Sequence, residues 1–384
     1  MTPSPETLPL LRTPLHALHM ELGARMVPFA GYSLPVQYPA GLMAEHMQTR
    51  KSASLFDVSH MGQLRLAGPQ AAGAFETLMP VDVIDLAVGK QRYGLLLNEQ
   101  GGIIDDLMFL KRKDGIFVIV NGACKDGDTA HMQEKIGSMC QVIPLPDRAL
   151  LALQGPLAVN ALARLVPGVE KLVFMTGERF NWNGVELLLT RSGYTGEDGF
   201  EISVHQDQAE NLARALLAQP EVMPAGLGAR NSLRLEAGLC LYGHDIDQTT
   251  TPLEANLLWA MQKVRRASGA RAGGFPGATT LLADHAGLTP PAGHFPSKKR
   301  VGLIARERIP VRDGAPLQNP DGKLIGQVTS GLLGPSINRP IAMGYVGAEF
   351  AALGTVVHAI VRGKPVPMEV SAMPFVPTRY YRGV

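Results

Sequence analysis

Between Asn98 and Asn121 two clusters of turn-forming residues bracket an almost wholly apolar run. Asn98-Glu99-Gln100-Gly101-Gly102 supplies the first turn and Lys113-Asp114-Gly115 the second. Spacing this short restricts residues 92–121 to three short strands joined by tight turns. The middle strand reads Ile103-Ile104-Asp105-Asp106-Leu107-Met108-Phe109-Leu110. Asp is depleted in strands, and a buried carboxylate without partners is costly, so two acids in this setting need an explanation. Side chains alternate across a strand, which puts Asp106 with Ile104, Met108 and Leu110, and Asp105 with Ile103, Leu107 and Phe109. Both faces are apolar, so the pattern does not choose between the acids. One reading has an Asp bonding turn amides and the other meeting solvent. The other has one acid in a dry pocket with a shifted pKa, set to bond or move a proton on a substrate nitrogen.

At 384 residues the chain exceeds one compact core, and its length favours two to three domains. A net charge of +2 argues against a nucleic-acid binder relying on broad electrostatics. No apolar run is long enough to span a membrane, so no membrane association is expected. Cys124, Cys140 and Cys240 fit neither a zinc site nor a CxxC pair, and reduced thiols in a cytoplasmic chain are the simplest expectation. Residues 1–11 lack the order of a signal or transit peptide and read as a short tail.

Helices are expected over 14–30 (leading into a strand), 40–52, 69–80, 127–139, 156–166, 206–218 and 226–237, the last stopped by Gly238. Residues 54–66 read as one strand; 149–154, 184–192 and 198–205 read as others. After Arg300, apolar runs at 300–306, 324–331, 341–346, 355–361 and 366–371 alternate with Pro, Gly and Asn turns, which suggests a small barrel or sandwich.

Three further groups could carry chemistry. The glycine-rich turn Gly193-Tyr194-Thr195-Gly196-Glu197-Asp198-Gly199 precedes a strand, not a helix, so it is a poor phosphate cradle. If Phe200 and Ile202 face the core, Glu201 faces away, either into solvent or as a carboxylate accepting paired N–H bonds. Arg230 and Arg234 share a helix face, either on a surface with Glu236 as partner or with one Arg gripping a carboxylate. Asp57, Ser59 and His60 lie too close together on one expected strand to converge as a triad.

Phe56-Asp57-Val58-Ser59-His60-Met61, Gly101-Gly102-Ile103-Ile104-Asp105-Asp106-Leu107, Ala152-Leu153-Gln154-Gly155-Pro156, Gly193–Gly199, Ser232-Leu233-Arg234-Leu235-Glu236-Ala237-Gly238-Leu239 and Met373-Pro374-Phe375-Val376-Pro377-Thr378 occur in one order along the chain. Together they resemble the glycine cleavage T-protein (aminomethyltransferase) family over nearly its full length. The resemblance implies an α+β, multidomain folate-binding fold with antiparallel sheets and a C-terminal β-barrel. Residues 1–285 would form the catalytic region, as two interleaved α+β domains around a central pocket, and 286–384 the barrel. It implies an enzyme that moves a one-carbon unit from the aminomethyl-dihydrolipoyl arm of a small acidic carrier, the H-protein, to tetrahydrofolate, releasing ammonia, with no metal.

Carried over by motif, the resemblance places the catalytic acid on Asp106. Glu201 would grip the pterin edge, and Arg230 and Tyr380 would fall on binding positions. Met61, Tyr93 and Asn121 would line the folate pocket, with Trp259 and Arg300 near it. Asn231 departs from the family, which usually has Asp there; if that Asp orients Arg230, a neutral amide does so here. The basic residues Lys263, Arg265, Arg266, Lys298, Lys299 and Arg300 are either a solvated loop or a docking face for the carrier. Two alternatives share the folate pocket: a demethylase acting on a free small molecule, and a non-catalytic folate-binding module.

Overall fold

The computed structural model describes residues 9–285 and 297–383. The expected boundary at 285/286 and most of the expected N-terminal tail fall outside the described residues. Leu11–Arg12 is already a strand, paired with Tyr32–Gln37, which also pairs with Arg25–Phe29.

A five-stranded sheet runs in the order Gln91–Leu97, Ile103–Arg112, Gly115–Val120, Gly62–Ala67, Gln141–Pro144. Its first three strands are the meander the two turns demand. A six-stranded sheet runs in the order Thr176–Trp182, Val185–Arg191, Gly199–His205, Arg148–Gln154, Ala53–Asp57, Val222–Pro224. The single strand expected over 54–66 is therefore two. It breaks at 58–61, and its halves enter different sheets. The break couples the two layers, since Val58 N–H still donates to Leu150 while Gly62 already pairs with Val120.

Each sheet buries its outer face under helices. Phe75, Leu107, Phe109, Met132 and Ile136 close one core; Leu151, Leu162, Phe200, Ile202 and Leu212 close the other. The inner faces meet at a seam of Phe56, Leu110, Phe117, Ile119, Leu150 and Leu188, closed by Ala225, Ala229 and Leu233. The last two belong to the helix Leu227–Glu236, which ends where Gly238 turns to a φ of +70°.

Residues 298–371 form a closed six-stranded barrel, ordered Lys298–Ala305, Arg339–Gly347, Leu324–Gly334, Pro316–Gln318, Val356–Val361, Lys364–Ser371. The short Pro316–Gln318 strand had no apolar run to announce it, yet it closes the barrel and removes free edges. Leu332, Ile341 and Met343 pack on Leu235, which ties the barrel to the helix at the seam. Beyond the barrel the chain returns to the other layers, where Phe375 N–H donates to Glu236 and Arg379 N–H to Gly196.

Candidate functional site

The central meander strand resolves the choice that alternation left open. Leu107 and Phe109 turn into the helix-covered core, whereas Met108 and Leu110 turn to the seam. Asp105 belongs to the first face and is 0% exposed. Asp106 belongs to the second and is half-buried. Its Oδ2 accepts from the Tyr93 hydroxyl at 3.0 Å and its Oδ1 from Asn121 Nδ2 at 2.8 Å. The same Asn121 amide donates to Asp105 at 2.9 Å, and its backbone N–H donates there at 3.2 Å. Tyr93 reaches Asp106 because Gln91–Leu97 pairs alongside, and Asn121 because it follows Val120 directly.

Asp106 lacks a cation among these contacts. Burial and the neighbouring Asp105 charge push its pKa up to about 7, against the bonds from Tyr93 and Asn121. It therefore changes charge near neutrality, where a proton-transfer group is most effective.

Across the seam stand Tyr194, Arg230 and Glu201. The Gly193–Gly199 turn carries Tyr194; a Cβ at Gly193 would lie 1.9 Å from Gln154 Oε1, so a side chain there would displace the Gln154 amide. The Tyr194 hydroxyl donates to the Cys240 carbonyl. The Arg230 guanidinium lies over the Tyr194 ring, 4.6 Å from its centroid. Burial lowers the Arg230 pKa, with Tyr194 and Glu201 opposing, and among the described residues no hydrogen bond to a carboxylate offsets the burial. Glu201 Oε2 accepts from Ser192 at 2.8 Å, and burial raises its pKa against that bond and the Arg230 charge.

Tyr93, Asp106, Tyr194, Glu201 and Arg230 all keep some accessible surface, yet burial is the leading influence on the ionisation of each. Groups that touch solvent but are strongly desolvated suit the lining of a concavity. Together they offer a carboxylate near its midpoint, a second carboxylate with an unshared oxygen, an arginine, and aromatic faces. This fits a flat, nitrogen-rich ligand carrying paired N–H donors. Among the described residues, no group of three His, Cys, Asp or Glu side chains could hold a metal ion.

The remaining expected residues divide. Met61 packs at the edge of the seam. Trp259 stacks on Tyr93 with centroids 5.2 Å apart and is 60% exposed, making an outer lip beside Asp106. Tyr380 stacks on Phe174 at 4.0 Å, with Arg382 over the Phe174 ring. Arg300 is buried structure: its Nε donates to Ala255 at 2.8 Å and Nη1 to Gly238 at 3.2 Å, fastening the barrel to the preceding segment. Asn231 accepts from Arg234 Nε at 2.9 Å, so the neutral amide orients Arg234. Arg234 also pairs with Asp245 at 2.6 Å. Glu236 is not a surface partner but is buried against Arg50.

The basic cluster is not one exposed docking face. Arg265 is buried against Glu76 and Arg266 donates to two backbone carbonyls, while Lys263 and Lys299 remain exposed. Asp57 pairs with His19 at 2.8 Å, and His60 is a separate buried residue whose pKa burial lowers to about 4. Tyr194, Cys124 and Asp128 were not among the expected site residues. Tyr194 was marked only by its place inside a glycine-rich turn; the other two lie at the start of an ordinary-looking helix.

The chain matches the GCVT N-terminal domain over residues 15–265 and the glycine cleavage T-protein C-terminal barrel domain over residues 298–377. It is 44% identical to the mitochondrial aminomethyltransferase of Dictyostelium discoideum, over 97% of this chain and 94% of that protein. Identity to the mitochondrial aminomethyltransferase of Homo sapiens is also 44%, over 97% of this chain and 91% of that one. The crystal structure of the glycine cleavage system aminomethyltransferase T from Bartonella henselae superposes with a TM-score of 0.90 at 42% identity, covering 97% of this chain and 100% of that one. The curated relatives from Dictyostelium, fission yeast and human are mitochondrial proteins, which overturns the expectation of a cytoplasmic chain. Unpaired thiols report a reducing milieu and do not distinguish one reducing compartment from another.

Proposed function

The chain belongs to the glycine cleavage T-protein family, the tetrahydrofolate-dependent aminomethyltransferases, and on that premise we propose that Asp106 is the group that engages the reacting folate nitrogens. The reaction takes the one-carbon unit from an aminomethyl-dihydrolipoyl arm, releases ammonia and leaves methylene-tetrahydrofolate. We propose the lipoylated H-protein as the partner that carries this arm. Tetrahydrofolate, when bound, supplies the nitrogens that receive the carbon.

The observation that carries the assignment is a carboxylate without a cation, held near its own midpoint by burial and by Asp105. In its ionised form Asp106 accepts a hydrogen bond from a nitrogen that must lose a proton to become nucleophilic. Tyr93 and Asn121 each take one lone pair and fix the carboxylate plane, leaving the remaining lone pairs for the ligand. The negative charge also stabilises the cationic carbon centre that develops as ammonia departs. Glu201 offers its unshared oxygen to the paired donors of the pterin edge. Arg230, preset on Tyr194, offers its fork to an acceptor or anion of the substrate. Trp259 and Tyr93 supply a stacked apolar lip that restricts water beside Asp106.

Asp106→Asn tests the reading, with methylene-tetrahydrofolate formation followed using lipoylated H-protein as donor. Turnover should fall by about 100-fold or more, the range for removal of a general acid-base group. Calorimetric binding of tetrahydrofolate should persist. Near-normal turnover would remove Asp106 from the chemistry. A parallel assay with sarcosine in place of the carrier should give no product; product at a comparable rate would favour a free small-molecule donor.

A further inference from the structure

The carboxylate behind Asp106 has a carboxylic neighbour of its own. Asp128 lies in the first turn of the helix Lys125–Ile136 and is 1% exposed. It lies close enough to Asp105 for each to shift the other's ionisation, and its buried Oδ2 has no hydrogen-bond partner among the described residues. Among the described residues, neither member of this pair faces a Lys or Arg across a hydrogen bond. Lys125, at the start of the same helix, turns away to donate to the Tyr32 hydroxyl at 2.6 Å. The other titratable groups facing the pair are Asp106, the Cys124 thiol and Tyr242. Two carboxylates this close, both buried and without a cation, cannot both be charged, because their repulsion in a dry setting is unscreened.

We infer that Asp128 is a neutral carboxylic acid whose proton is donated to Asp105, and that this shared proton makes Asp128 a positioning residue for Asp106. Asp105 is the member that keeps the charge, because it collects donors from the Asn121 backbone and the Asn121 amide. Asp128 lacks such donors, and burial together with the Asp105 and Asp106 charges drives its pKa up to about 10. The charged Asp105 then holds one hydrogen of the Asn121 amide, and the amide presents the other to Asp106. The same charge raises the Asp106 pKa towards neutrality. Asp128 thus acts at two removes, touching neither the ligand nor Asp106's own donors. The inference rests on Asp106 being the reactive acid, but the place of the proton is measurable without that premise.

The experiment compares full-length wild type, Asp128→Asn and Asp128→Ala by infrared spectroscopy and by the pH profile of turnover with lipoylated H-protein. Infrared difference spectra above neutral pH should show a carboxylic acid C=O stretch in the wild type that Asp128→Asn removes. Because an Asn amide can still donate to Asp105 without adding charge, Asp128→Asn should keep turnover within about twofold and leave the acid limb unmoved. Asp128→Ala removes the donor, so Asp105 competes for the remaining proton. Turnover should fall about tenfold, as for one lost buried hydrogen bond, with KM for folate little changed. The acid limb should move to lower pH, since a protonated Asp105 no longer repels charge on Asp106. If Asp128 were ionised instead, Asp128→Asn would delete a charge and move the acid limb down as Asp128→Ala does; that result, or an unchanged infrared band, overturns the inference. Should the Ala variant fail to fold, the Asn variant and its infrared band decide alone. Failure of the Asp106 assignment would show separately, as a normal Asp106→Asn rate beside an intact band.

Discussion

Two buried clusters of charged side chains balance charge in opposite ways. In one, Arg50 donates to Glu197 and Glu236, each at 2.8 Å, and His46 lies 3.1 Å from Glu236. Arg379 of the returning C-terminal segment donates to Glu197 at 2.7 Å. Ser336 donates both its N–H and its hydroxyl to Glu236. Burial alone would raise the Glu236 pKa, but His46, Ser336 and Arg50 hold it down to about 2. In the other cluster Asp105, Asp106 and Asp128 influence one another with no cation paired to them among the described residues, and all three pKa values rise. The first arrangement fixes charges permanently and joins three parts of the chain. The second keeps protons in play. Burial is common to both, so burial does not mark a site; the missing counter-charge does.

The widest gap between the clusters should appear on breaking the balanced one. Arg50→Leu leaves Glu197 and Glu236 facing each other without their shared cation. Removing one partner of a buried ion pair typically costs about 3–5 kcal/mol. Chemical denaturation should show a loss of that size. A loss below about 1 kcal/mol would mean that the Arg50 cluster is no more structural than an exposed pair and would collapse the contrast.

The unbalanced cluster should respond with the opposite sign. The folded-state pKa of Asp106 is raised, so the native protein binds its proton more tightly than the unfolded chain does. The resulting cost is absent at acidic pH and develops as pH rises from the unfolded value towards about 7. Asp106→Asn cannot ionise and escapes that cost. Above neutrality the variant should be more stable than wild type by on the order of 2–4 kcal/mol, with the gain vanishing near about pH 4. Denaturation curves for the two proteins at acidic and alkaline pH check this directly. Equal stability at both would mean that Asp106 is well solvated and not poised for proton transfer. A variant that loses catalysis while gaining stability is the expected signature of a strained functional group.

A smaller effect concerns the carboxylate across the seam. Glu201→Gln keeps the shape but replaces an acceptor-only group with one that also presents N–H donors. KM for tetrahydrofolate should rise about tenfold, the equivalent of one charge-assisted hydrogen bond, with kcat changed less. A fall in kcat at unchanged KM would move Glu201 from substrate binding into the chemistry.

The meander was legible because its turns are local: Asn98–Gly102 and Lys113–Gly115 specify three strands without reference to anything distant. The helix 226–237 and five barrel strands were legible for the same reason. The split of residues 54–66 was not, since Val58 to Met61 carry no Gly or Pro, and the break is imposed by pairing with strands far along the chain. Alternation could name two faces for Asp105 and Asp106, but only packing of Met108 and Leu110 on the seam says which face is which. Tyr380 and Arg300 came from the family resemblance. The structure stacks Tyr380 on Phe174 and engages Arg300 with backbone carbonyls, contacts that no local pattern announces. The basic residues at 263–266 looked like surface because composition records charge but not partners; Glu76, which neutralises Arg265, lies far back along the chain.

The smallest expected effect lies at Asn231, and it sharpens which arginine the helix reserves for the site. The residue points its Oδ1 to Arg234 Nε, and Arg234 is already paired with Asp245 and donates to Ser330 at 2.8 Å. Arg230, one turn earlier, receives nothing from it and is placed by the Tyr194 ring. Asn231→Asp restores the carboxylate usual in the family at an exposed position beside an arginine whose charge is already met. The gain in stability should therefore stay within about 0.5 kcal/mol, as for an exposed helical ion pair, and shrink as salt is added. KM for folate should not change, because the guanidinium that lines the concavity is not the one Asn231 holds. A clear shift in KM with this substitution would instead couple the two arginines, and would make the orientation of Arg230 depend on the far side of its own helix rather than on Tyr194.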